Sequence, residues 1–221
     1  MAVNLPSERP DTSDMLMIHG VFRGELQAAP ARIQGVVPGD LDRARLIGDH
    51  YAFVLAVLHI HHETEDELLW PKLNQRVEFK RELVARMEAQ HAAIAGELTQ
   101  SNETLERWAK TGALQDAGPL LESLSRLTAV LEHHLGEEEQ QILPIAADHL
   151  SVKEWGELGQ HGMAAVPAEW MPVTLGLCLR NLPPEARPVF LAQMPEGVPV
   201  LWTSQWETIY EAHMASLEPT A

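Results

Sequence analysis

The sequence predicts an all-α protein, an antiparallel four-helix bundle followed by a helical C-terminal extension. Three observations carry that reading. Four long stretches repeat apolar residues at three- and four-residue steps, the period of a helix with one buried face. Short connections bearing Gly and Pro separate them, which favours antiparallel neighbours. Beyond about residue 150 the pattern breaks, because seven prolines between Pro167 and Pro199 cut the chain into short pieces. Trp155, Trp170, Trp202 and Trp206 lie in this part, so it is expected to be packed and not a free tail. We place the bundle at residues 14–150 and the extension at 151–221.

Residues 1–13 read as a loose arm. Asp14 is the expected N-cap of a first helix that runs to Ala29, ahead of Pro30, with Met15, His19, Phe22 and Leu26 on its apolar stripe. Residues 30–40 form a connecting loop. The second helix is expected from Leu41 to Gln75, with Ile47, Val54, Leu58, His61, Glu65 and Leu68 on one line; Pro71 must bend or end it. The third spans Glu78 to Lys110 and aligns Val84, Met87, His91, Ile94 and Leu98. After a loop from Gly112 to Pro119, the fourth carries Leu120, Leu127, Leu131, His134, Glu138 and Ile145. In the extension, Ser151 and Glu154 form a capping box, and a longer helix is expected from Trp202 to Leu217.

Hydrophobic residues make up 45% of the 221, ample for a core. No apolar run reaches the ~18 residues of a membrane span, and no signal peptide is read at the start. The single Cys178 fits a reducing cytoplasm. A net charge of −16 argues against nucleic acid and anionic membranes as partners.

The chemistry lies in a repeated pattern. His61-x-x-x-Glu65 is followed after five residues by Pro71, and His134-x-x-x-Glu138 after five by Pro144. On a helix, i and i+4 differ by about 40° and ~6 Å, so each pair shares one face. His19, His61, Glu65, His91, His134 and Glu138 all lie on the core lines of their helices. An unpaired polar group there costs ~1–3 kcal/mol and a charge more, and a metal pair compensates all six together. Imidazoles with bridging carboxylates favour two iron or manganese ions over a structural zinc. Six residues with two bridging carboxylates fill about eight of roughly twelve octahedral positions, leaving room for O2, peroxide or nitric oxide.

These motifs resemble the hemerythrin-like family of HHE cation-binding domains over residues 14–150. The carrying residues are His19, His61-x-x-x-Glu65 leading to Leu69-Trp70-Pro71, His91, and His134-x-x-x-Glu138 leading to Leu143-Pro144. The resemblance implies a non-haem di-iron centre with bridging carboxylates that binds O2 or reacts with small oxidants. Oxygen-carrying members have a second His four residues on in the third helix, where this chain has Ala95. That departure predicts four His ligands, an open position, and peroxide, nitric oxide or sensing chemistry over reversible oxygen carriage.

The other candidates are assigned as follows. His62 and His133 lie ~100° off the ligand faces and are read as boundary residues. His59 points outward, and His50, ~16 Å along the axis from His61, is a core residue. His149, His161 and His213 are structural or surface. Glu63, Asp66, Glu67, Glu137 and Glu139 form an acidic exterior, with Glu139 a substitute bridge if the helix is distorted. Tyr51 is a candidate redox or proton neighbour. The leading function is small-oxidant chemistry with an unidentified redox partner. The alternatives are a sensor whose metal state controls docking of the extension, and a zinc-stabilised bundle.

Overall fold

The computed structural model describes residues 8–77 and 80–218, and among them the chain is helix, turn and loop with no strand. Helix α1 (Ser13–Gln34) has Thr12, and not Asp14, at its N-cap position, with no side-chain capping bond. Asp14 falls in the first turn, where its charge suits the helix dipole, and its carboxylate accepts from the Trp155 indole at 3.0 Å. The helix also continues through Pro30. Proline removes one bond there, and burying the next turn through Ile33 and Arg32 offsets that loss.

Helix α2 (Leu41–Leu68) starts at Asp40, whose side chain accepts from the Arg43 backbone at 3.0 Å. It ends at Leu68 and not at Gln75. Pro71 sits in the first turn of α3 (Trp70–Arg76), where a missing N–H costs nothing. Helix α4 (Arg81–Thr111) follows; the expected start at Glu78 lies outside the described residues. It stops at Gly112, whose φ of 55° suits glycine, and whose N–H bonds the Trp108 carbonyl at 2.7 Å. Helix α5 (Leu114–Glu137) passes into one π-helical turn, Glu138–Ile142, and then α6 (Leu143–His149), which Pro144 opens as Pro71 opens α3.

The four long helices pack in a ring, with α1 on α2, α2 on α4, α4 on α5 and α5 on α1. Phe22, Ile47, Leu55, Ile94, Leu127 and Leu135 are each fully buried between them. Each such side chain contributes ~1.5–3 kcal/mol.

The extension wraps one side of this ring. Helix α7 (Val152–Ala164) begins with the expected capping box of Ser151 and Glu154 and lies on α2. Helix α8 (Met171–Arg180) lies on α1, with Trp170, just ahead of it, stacked on Phe53 at 4.2 Å. Two short helices follow, α9 (Arg187–Ala192) and α10 (Val198–Leu201). A π turn (Trp202–Trp206) then leads into α11 (Glu207–Leu217), so the expected last helix starts with a distorted turn. A Cβ at Gly176 would meet the Tyr210 ring at 2.2 Å, so α8 and α11 approach this closely only with glycine there. Arg43 of α2 donates to the carbonyls of Ser216 and Leu217.

A buried ionic cluster joins the layers. The fully buried Glu25 carboxylate accepts from Arg32 at 2.6 Å and from Arg180 of α8, and meets His50 Nε2 at 2.9 Å. His50 Nδ1 in turn meets His213 Nε2 of α11 at 3.0 Å. No single helix among the described residues is long and apolar enough to cross a membrane.

Candidate metal centre

Helical phase brings the motif residues to one place. His61 and Glu65 project from α2, His134 and Glu138 from the end of α5, His19 from α1 and His91 from α4. They fall into two groups whose ligand atoms lie within 4.8 Å of one another: His62, Glu65, His91 and His134, and His19, His61, Glu65 and Glu138. All six residues expected from the sequence are present. The seventh, His62, expected at the boundary of the ligand face, is instead buried, with its ring 4.3 Å from that of His91.

Both carboxylates stand between the groups. Glu65 Oε1 is 3.4 Å from His61 Nε2, and Glu65 Oε2 is 3.4 Å from His91 Nε2. Glu138 Oε2 lies 3.3 Å from His19 Nε2 and 3.7 Å from His134 Nε2. Each glutamate thus spans an imidazole of one group and an imidazole of the other.

The imidazoles are oriented from behind. His19 Nδ1 meets Glu139 Oε1 at 2.8 Å, and His91 Nδ1 meets Asp66 Oδ1 at 2.7 Å. His134 Nδ1 donates to Gln90 Oε1 at 3.0 Å, and Gln90 is itself fixed by donating to Glu137 at 2.8 Å. Carboxylate or carbonyl acceptors at Nδ1 turn each Nε2 inward as a lone pair. Asp66 also accepts from the Trp70 indole, and Glu139 from Arg23, so these orienting groups are held in turn.

A helical bundle with this many inward-facing His and Glu matches a known family. The model described as the hemerythrin HHE cation-binding domain covers residues 9–146. The chain belongs to the hemerythrin HHE family. No curated protein and no solved structure matches it.

The side chains of this HHE site fit the cation that the family implies. His19 Nε2, His61 Nε2, both His62 nitrogens and all four oxygens of Glu65 and Glu138 are buried without a hydrogen-bond partner. Each such group costs ~1–3 kcal/mol when left unpaired. His91 Nε2 and His134 Nε2 face each other at 3.1 Å, and in the neutral rings both are acceptors. Two nitrogens bound cis at ~2.1 Å to one octahedral ion lie ~3 Å apart. Burial lowers His61 and His62 well below the usual histidine range and holds His134 at about 4, so these rings are neutral at pH 7 and free to donate to a cation. Burial and the nearby charge of Glu138 push the Glu65 carboxyl well up. A cation removes that penalty.

On the α2 projection His61 stands at 0°, Glu65 at about 40° and His62 at about 100°, so the carboxylate lies between the two rings. With two groups to serve, both neighbours of that carboxylate face a ligand position, and His62-x-x-Glu65 was a usable signal. It supplies a fifth imidazole from α2, where the family's oxygen carriers draw it from the third long helix. The expected vacancy at Ala95 therefore does not reduce the site to four His.

The remaining residues separate clearly. His133 is exposed, and the exposed His59 pairs with Glu63 at 3.1 Å. Asp66, Glu137 and Glu139, read as acidic exterior, hold the site's imidazoles or their support. The π turn at Glu138 is the local distortion under which Glu139 was considered as a bridge. It brings both glutamates to α1, Glu138 toward Nε2 of His19 and Glu139 toward Nδ1. Tyr51 is ten residues from His61, ~15 Å along α2, and its hydroxyl donates to the Glu25 carbonyl.

Glu139→Ala is expected to weaken metal binding about 10–100-fold without loss of helicity. Glu63→Ala, which removes an equal charge from the outer face of α2, should leave affinity unchanged. Competition with a chromogenic chelator measures both, and equal losses would show a general charge effect.

Proposed function

We propose that the chain is a non-haem di-iron protein that binds or reacts with small oxidants, O2, hydrogen peroxide or nitric oxide. The observation carrying this reading is that Glu65 and Glu138 each lie between imidazoles of the two groups, the disposition of bridging carboxylates. Their oxygen ligands, with histidine nitrogens, favour iron or manganese over a structural zinc. Five imidazole nitrogens and four carboxylate oxygens occupy nine of about twelve octahedral positions, leaving about three for small ligands. An iron pair held there supplies electron transfer to or from the oxidant.

The chain's own residues do the rest. Glu65 and Glu138 balance the charge of the pair and keep the two positions close. Asp66, Glu139 and Gln90 fix three of the rings and raise their basicity. The packed bundle keeps bulk water off the centre.

A second reading is a sensor in which the metal state controls docking of the extension. It is favoured by Asp14–Trp155, Glu25–Arg180 and His50–His213, which tie the extension to α1 and α2, two of the ligand-bearing helices.

Elemental analysis of protein expressed in iron-replete medium should find two irons per chain, with oxo- or carboxylate-to-iron absorption bands. Zinc alone would sink the redox reading. Added peroxide should then give steady oxygen release; a single stoichiometric change with altered proteolysis after Leu150 would select the sensor.

A further inference from the structure

The geometry points to a binding chamber for a neutral apolar organic molecule of about ten non-hydrogen atoms, beside the metal centre. The chamber rests on the fold and not on the metal reading. A cavity of about 240 Å³ lies between the bundle and the extension. One face of α7 closes it through Trp155, Leu158, Gly159, Gly162 and Met163, at steps of three and four residues. Helices α1, α2 and α8 supply the opposite walls, among them Met15, Val57 and Cys178.

Its size decides the ligand class. A water takes a ~30 Å³ share of liquid, so O2 or peroxide would leave most of this space empty, while a 150 Å³ apolar cavity holds benzene. Scaling from six carbons gives about ten atoms. The wall decides polarity. Thr64 and Thr174 spend their hydroxyls on the carbonyls of Ile60 and Trp170, and Asp14 is engaged by Trp155. His61 and Glu65 back the wall, but His61 Nε2 and both Glu65 oxygens are themselves buried behind it. Of the seven grouped side chains only His61 is appreciably exposed, at 10%, and it lines this cavity. The chamber therefore meets the centre only along the His61 ring, and a charged ligand in it would lose its hydration without return.

The wall is also built to stay open and adjust. Glycine inside a helix costs ~0.5–1 kcal/mol relative to alanine, yet α7 places the half-buried Gly162 on the cavity wall, where a Cβ would meet nothing within 4 Å. Met15, Met17, Met163 and Met194 line the rest, side chains that re-pack around varied apolar shapes.

The test is calorimetric titration of the full-length, metal-loaded protein with a series of straight-chain primary alcohols. Affinity should rise about four-fold per methylene from 1-hexanol to 1-nonanol, and stop rising by 1-dodecanol. Gly162→Leu, and Val57→Phe from the opposite wall, should each lose at least ten-fold in 1-nonanol affinity while keeping their metal content. Affinity that climbs without a break to 1-dodecanol, or is untouched in both variants, would overturn the proposal. Metal content is measured on the same samples. Alcohol binding without metal overturns the metal reading alone, and metal without alcohol binding overturns the chamber alone.

Discussion

Glu65→Gln should raise the melting temperature of the metal-free protein and lower that of the metal-loaded protein. Without metal, Glu65 is a buried carboxyl beside a second buried carboxylate, with both oxygens unpartnered. Gln keeps the volume, is neutral without taking up a proton and offers Glu138 a donor. A carboxyl pushed well up by folding loses stability at neutral pH, a cost that Gln does not carry, and in a chain of this length each kcal/mol moves the melting temperature by ~2–4 °C. With metal the sign reverses. The variant loses an anionic oxygen from each group, and saturating metal stabilises the wild type by ~4 kcal/mol at a thousand times the dissociation constant. Calorimetry of both proteins with and without metal reads the crossover. A shift of the same sign in both states would show that Glu65 is an ordinary core carboxyl.

The second large effect is expected at Glu25, six residues beyond His19 on α1. Glu25→Ala should cost about 3–5 kcal/mol, because it leaves the buried Arg32 with only the exposed Glu218, at 3.6 Å, as a counter-charge, and it should free the extension for proteolysis after Leu150. The same cluster predicts acid lability. Burial alone would raise the Glu25 carboxyl, but the bond and charge of His50 and the charge of Arg32 outweigh it and hold it at about 2. Its stabilisation is present above its ordinary value of 4.5 and is lost as pH falls toward 2. Burial, then the charges of His50 and Arg32, lower His213 from 6.5 to about 4, despite the opposing charge of Glu25. The unfolded chain therefore binds the extra proton first, and this contribution drains away as pH falls from 6.5 through 4. Melting temperature should decline from near neutrality downward, and His213→Gln should flatten the part above pH 4. An unchanged slope in that variant would remove His213 from the account.

Which side chains could be foreseen follows from the range of the forces involved. Helical period is local, so the stripes placed His19, His61, Glu65, His91, His134 and Glu138 on buried faces without any tertiary knowledge. Pro71 marked a real helix boundary, because a missing N–H is a local defect; Pro144, which the expected fourth helix runs past to Ile145, opens α6 in the same way. Pro30 did not, because burial of the following turn, a non-local gain, outweighed it. His62 escaped because its value depends on a second group of ligands approaching α2 from the α4 side. Asp66 and Glu139 escaped for the same reason: a carboxylate just off a buried stripe looks solvated until the ring it holds is in place.

The sequence by itself determined the all-α class, the buried ligand stripes and the paired His-x-x-x-Glu motifs, all set by residues within two turns of each other. Only the tertiary structure decided that five imidazoles and two carboxylates share one centre, and that the extension walls an apolar chamber beside it. Both depend on contacts between residues far apart in the chain, which periodicity along a single helix does not encode.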